Sequence, residues 1–168
     1  EHPLVLNGNK KINGVQIQSN TQRYLTLGKV FWPNLANAIK EIVNGNADKF
    51  GLFYSSLFFK PSQNAIQCLD YPYKISKWND YLKFKTEIEA ASPHLGAYVQ
   101  SAKIIQHCIG WKSIRKNPPK KLKILKKQPV LLITTKHDPS TSSEWSQRVL
   151  KQIPGSLNIN YNGFSHTA

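Results

Sequence analysis

Residues 129–168 read PVLLITTKHDPSTSSEWSQRVLKQIPGSLNINYNGFSHTA, and the fold turns on how that stretch is parsed. Val130 to Thr134 is a short, nearly continuous apolar run, the pattern of a parallel strand buried on both faces. It ends at Lys136-His137-Asp138-Pro139. Thr141 and Glu144 fit a capping box, with Thr141 as the N-cap. Trp145, Val149, Leu150 and Ile153 recur at helical spacing, and Pro154-Gly155 stops that helix. Leu157, Ile159 and Tyr161 alternate with polar residues and predict a second strand. Asn162-Gly163 turns the chain, and His166 follows.

The unit is therefore strand, acidic turn, helix, strand, turn, histidine. In parallel sheets functional groups collect at the carboxyl ends of strands. Asp138 and His166 each stand just past a strand end, 28 residues apart. Adjacent parallel strands would bring them together. An Asp that orients a His and stabilises its imidazolium is the supporting half of a nucleophilic triad. The order Ser, then Asp, then His is that of the α/β-hydrolases.

Composition bounds the rest. The 168 residues are enough for a domain with a real core. No methionine occurs, not even at position 1, and the expectation is a fragment or a processed chain. The net charge is +14, and only Arg23, Arg115 and Arg148 interrupt the lysines. Specific nucleic-acid sites favour arginine for bidentate contacts, so nucleic acid is an unlikely partner and a solvated lysine surface the expected role. The sharper alternative is a polyanion-binding patch over residues 112–127, KSIRKNPPKKLKILKK, with its eight basic residues. No apolar run is long enough to span a membrane. Cys68 and Cys108 lack further ligands for zinc and are either two buried thiols or one disulfide.

Upstream, VQIQ at 15–18 alternates and reads as a short strand or a loop. Phe31 to Val43 is predicted helical, with Leu35, Ala38, Ile39, Ile42 and Val43 on one face and Asn44-Gly45 as its stop. Phe50 to Phe59 is apolar without clear period. Ser62 to Cys68 is a short segment, Trp78 to Ala91 an amphipathic helix, and Ser92-Pro93 the start of another that ends near Cys108. Three regions follow: 1–110, mainly helical; 111–128, a basic connector; 129–168, the βαβ unit.

These segments resemble one family. PVLLITTKHDPST and PGSLNINYNGFSHT are similar to the acid loop and closing histidine segment of α/β-hydrolase serine peptidases. AIQCLDYP at 65–72, CIGW at 108–111 and WPNLANAIKEIVNGNADKF at 32–50 resemble the tripeptidyl-aminopeptidase-like (TAP-like) branch, related to prolyl aminopeptidases. The likeness covers about residues 24–168. Ser142 and Lys112 stand where that branch usually has proline.

The resemblance implies the C-terminal portion of an α/β-hydrolase fold, with residues 1–110 supplying helical cap segments. It implies Asp138 as triad acid, His166 as general base, and a Cys68–Cys108 disulfide. It also implies a secreted enzyme that takes peptides with a free N-terminus and needs no metal or organic cofactor. Trp32, Phe53, Phe58, Phe59, Trp78 and Trp111 are candidates for an apolar substrate pocket. No GxSxG occurs in the sequence. The nucleophile is then expected in an N-terminal part of the hydrolase, and the chain alone is expected to be inactive. A hydrolase-like protein without chemistry is the remaining alternative.

Overall fold

The structure is a computed structural model, and it describes residues 2–7, 11–51, 61–71, 73–96, 100–114, 119–124 and 129–167. Most of the apolar 50–59 segment, including Phe53, Phe58 and Phe59, lies outside the described residues, as do parts of the basic connector. The chain divides into two compact units: residues 1–21 with 41–119, and residues 22–40 with 120–168.

The first unit is mainly helical. A two-stranded antiparallel ribbon, β1 (Leu4–Val5) with β2 (Lys11–Ile12), precedes helix α1 (Gly14–Thr26). The VQIQ segment is therefore helical, against the strand or loop expected from its alternation. The reason is local. Asn13 Oδ1 accepts the Gln16 N–H and Gln16 Oε1 accepts the Asn13 N–H, each at 2.9 Å. This is a reciprocal cap that nucleates the first turn.

Helix α2 (Trp32–Val43), which belongs to the second unit as far as Lys40, ends at Asn44-Gly45, where Gly45 takes φ 85° and its N–H donates to the Ile42 carbonyl. Its buried face is narrower than the periodicity suggests: Leu35 and Ala38 are buried, whereas Ile39 and Val43 are exposed. The short α3 (Asp48–Gly51) sinks Phe50 into the core of the first unit. Helices α4 (Pro61–Asp70), α5 (Trp78–Ala91) and α6 (Gln100–Cys108) follow. The segment 62–68 is thus helix, and the helix after Pro93 is described only from Gln100. Among the described residues, these three helices bury Cys68, Tyr81, Ala102, Ile104 and Ile105. A disulfide joins Cys68 of α4 to Cys108 of α6. Among the described residues no helix is long and apolar enough to cross a membrane.

The second unit holds the βαβ element. Strand β3 (Leu131–Thr135) pairs in parallel with β4 (Leu157–Tyr161), in register from Leu131 opposite Leu157 to Thr135 opposite Tyr161. Helix α7 (Ser143–Leu150) crosses between them and packs on both. The fold class is α/β, with a parallel pair of strands. Its sheet is not buried on both faces as the apolar run suggests. Leu131, Ile133, Leu157, Ile159 and Tyr161 alternate onto one face and are all more than half exposed, while Thr134 and Thr135 are buried. Those five side chains are left largely exposed among the described residues, so the apolar run reflects a layer that the sheet could accept.

Candidate active site

Parallel pairing carries both strand ends to the same edge, and two backbone bonds stitch the loops that leave it. The Lys136 N–H donates to the Tyr161 carbonyl at 2.8 Å and the His137 N–H to the Gly163 carbonyl at 3.2 Å. The second loop approaches closely enough that a Cβ on Gly163 would collide with the Tyr161 ring and crowd the Thr135 methyl at 3.1 Å. Only glycine fits there without displacing a strand residue.

Asp138 and His166 meet across these loops. His166 Nδ1 lies 3.1 Å from Asp138 Oδ1 and 3.0 Å from Oδ2. The Asp138 side chain is 6% exposed and that of His166 37%, so the acid is enclosed while the imidazole remains accessible. The Asp138-Pro139-Ser140-Thr141 sequence explains how the carboxylate is held. Proline has no N–H, so the turn offers the next two amides instead. Oδ1 accepts the Ser140 N–H at 2.7 Å and the Thr141 N–H at 2.9 Å. Oδ2 accepts the Thr141 hydroxyl at 2.8 Å.

Burial alone would raise the Asp138 pKa. The amides of Thr141 and Ser140, then His166 and the Thr141 hydroxyl, outweigh it and lower the pKa from 3.8 to about 2. The carboxylate is therefore ionised at neutral pH and can only accept. In the neutral imidazole His166 Nδ1 must then carry the proton between them, which leaves the lone pair on Nε2.

Because the folded pKa lies below the unfolded one, the unfolded state binds more protons between the two values. The stabilisation is complete above about pH 4 and is lost as pH falls through about 2. Over that window the unfolding free energy should drop by roughly 2 kcal/mol from this group. Urea denaturation at several pH values checks this: Asp138→Asn should flatten the slope, and an unchanged slope in that variant would refute the assignment.

Thr141 is committed to Asp138 and does not cap α7, in contrast to the capping box read from the sequence. The N-cap is Ser142, whose hydroxyl accepts the Glu144 N–H at 3.3 Å. The sequence signal was shifted by one residue because two hydroxyls stand side by side and the carboxylate claims the first.

A cleft of about 260 Å³ opens beside Asp138, with Ile133, Thr135, Thr141, Ser146 and Thr167 on its walls. The Thr135 hydroxyl is buried with no hydrogen-bond partner among the described residues. This lining is rich in hydroxyls and includes none of the tryptophans expected around an apolar pocket. Trp32 packs edge-on against Phe164 at 5.7 Å, and Trp78 and Trp111 are half exposed. Phe164, which also stacks on His137 at 4.6 Å, was not singled out by sequence; its position two residues before His166 was the available signal. Among the described residues no group of three or more His, Cys, Asp and Glu is placed to hold a metal ion.

The family model described as TAP-like protein matches residues 92–168. No curated protein and no solved structure matches the chain. The matched stretch contains β3, α7, β4 and both Asp138 and His166, the elements whose geometry is given above. That match supports a TAP-like α/β-hydrolase C-terminal domain over residues 92–168.

Proposed function

We propose that Asp138 and His166 are the acid and base of a Ser–His–Asp triad, in the C-terminal part of an exo-acting aminopeptidase or tripeptidyl aminopeptidase. The observation that carries this reading is the enclosed, ionised carboxylate bonded through both oxygens to Nδ1 of an accessible imidazole. That arrangement fixes the tautomer a general base needs.

The chemistry follows from the lone pair on Nε2. A serine hydroxyl attacks the scissile carbonyl as its proton passes to Nε2. The imidazolium, paired with Asp138, then gives that proton to the leaving amine as the C–N bond breaks. Water repeats the cycle on the acyl-serine, losing a proton to Nε2 and releasing the peptide or amino acid. Asp138 stays ionised throughout. No GxSxG lies within the 168 residues, so the serine comes from a further hydrolase segment. The disulfide between Cys68 and Cys108 suits an exported protein.

Chromogenic aminoacyl and tripeptidyl substrates test the proposal. The 168-residue chain should show no turnover. A polypeptide joining it to a GxSxG-bearing segment should cleave such a substrate and lose that activity on His166→Ala. Turnover by the 168 residues alone, or activity indifferent to His166, would refute it.

A further inference from the structure

The His166 ring hangs on Asp138, but its backbone is held by a segment more than a hundred residues earlier in the chain. The His166 N–H donates to the Thr26 carbonyl at 2.9 Å. Thr26 is the last residue of α1, whose final carbonyls have no partner within the helix. One position earlier, Ser165 lies against Gly28: a Cβ built on that glycine would sit 2.7 Å from the Ser165 Cβ. Gly28 takes φ 86° and ψ −176°, a conformation essentially reserved for glycine. One position earlier again, Phe164 receives the Trp32 ring at 5.7 Å and has the Lys29 ammonium 4.1 Å from its centroid. Residues 26–32 thus meet 164, 165 and 166 in succession.

We infer that the Thr26–Trp32 segment is a clasp that positions the His166 imidazole, with the Thr26 carbonyl and Gly28 as its positioning groups. The inference rests on His166 being the general base. A carboxylate contact alone leaves the ring able to swing as its backbone shifts. The loop from Asn162 to Thr167 has no regular structure to prevent this, and Thr167, directly after the histidine, sits at φ 65°, uncommon for a β-branched residue. The amide bond to Thr26 and the close seat of Ser165 on Gly28 remove that freedom. Gly28 matters because any side chain there would push Ser165, and with it the next residue, away from Asp138.

The experiment is imidazole ¹⁵N NMR combined with amide hydrogen exchange on the 168-residue chain. The native chain should show His166 with a protonated Nδ1 and a protected amide. Gly28→Ala should lose the amide protection and shift the ring toward the tautomer mixture of a free imidazole, while helical circular dichroism and the Cys68–Cys108 bond persist. A folded Gly28→Ala with both signals unchanged overturns the clasp, as does an unprotected His166 amide in the native chain. Should Gly28→Ala fail to fold, Phe164→Leu decides by the same two signals. Asp138→Asn separates this inference from the triad reading. It should abolish the Nδ1–H tautomer yet keep the His166 amide protected. If the tautomer survives Asp138→Asn, the triad reading falls, and the amide signal still judges the clasp.

Discussion

On the proposed triad, Asp138→Asn is expected to lower turnover roughly ten-thousandfold in a polypeptide joining this chain to a GxSxG-bearing segment, with little change in the backbone. The asparagine side chain has nearly the shape of the aspartate and can still accept from the Ser140 and Thr141 amides, which now hold Oδ1. What it cannot do is accept from Nδ1 through both of its terminal atoms, as the carboxylate does. One of them becomes an NH₂ donor, and where it faces Nδ1 the imidazole must place its proton on Nε2. The nitrogen that should take the serine proton is then occupied, and the imidazolium formed in the reaction loses its counter-charge. The substrate KM should change far less than kcat, since on the proposed triad the acid acts through His166. Steady-state kinetics of this variant beside His166→Ala would check it; a loss below tenfold, or one confined to KM, would rule out the role given to Asp138.

Removing the disulfide is expected to cost the first unit about 4 kcal/mol. Cys68 and Cys108 are 40 residues apart, so their bond closes a long loop in the unfolded chain and reduces its entropy substantially. The bond ties α4 to α6, whose contact forms much of the core of that unit, and Cys68 is 3% exposed. A loss of that size is comparable to the whole stability of many domains of this length. Urea midpoints should therefore fall sharply with reductant, and Cys68→Ala with Cys108→Ala should reproduce the reduced behaviour. Equal midpoints in oxidised, reduced and doubly substituted protein would rule out a stabilising role for the bond.

The elements bearing Asp138 and His166 were legible in the sequence because each rests on a local pattern. Alternation of Leu157, Ile159 and Tyr161 names a strand, and Pro154-Gly155 names a helix stop. Parallel pairing then follows from the helix between the strands. What was not legible depends on competition or on distance. VQIQ alternates like a strand, yet the Asn13–Gln16 cap decides for helix, and a single cap outweighs four residues of weak pattern. Thr141 and Ser142 are equally good caps until one knows that the Asp138 carboxylate sits within reach of the first. The exposure of Leu131 and Ile133 could not be read, since an apolar side chain reports what it would accept and not what lies over it. The contacts of Thr26, Gly28 and Trp32 with residues 164–166 span the length of the chain, and no periodicity records them. The pairing of Cys68 with Cys108 came from family likeness, not from spacing.

The division of labour between those two adjacent hydroxyls has an evolutionary consequence. Thr141 bonds the carboxylate and Ser142 bonds the helix, so neighbouring codons govern different properties. Drift at position 141 would retune the acidity of the site while leaving α7 intact. Drift at position 142 alters how the helix begins and spares the carboxylate. Chemistry and architecture can therefore vary independently within two residues of one another.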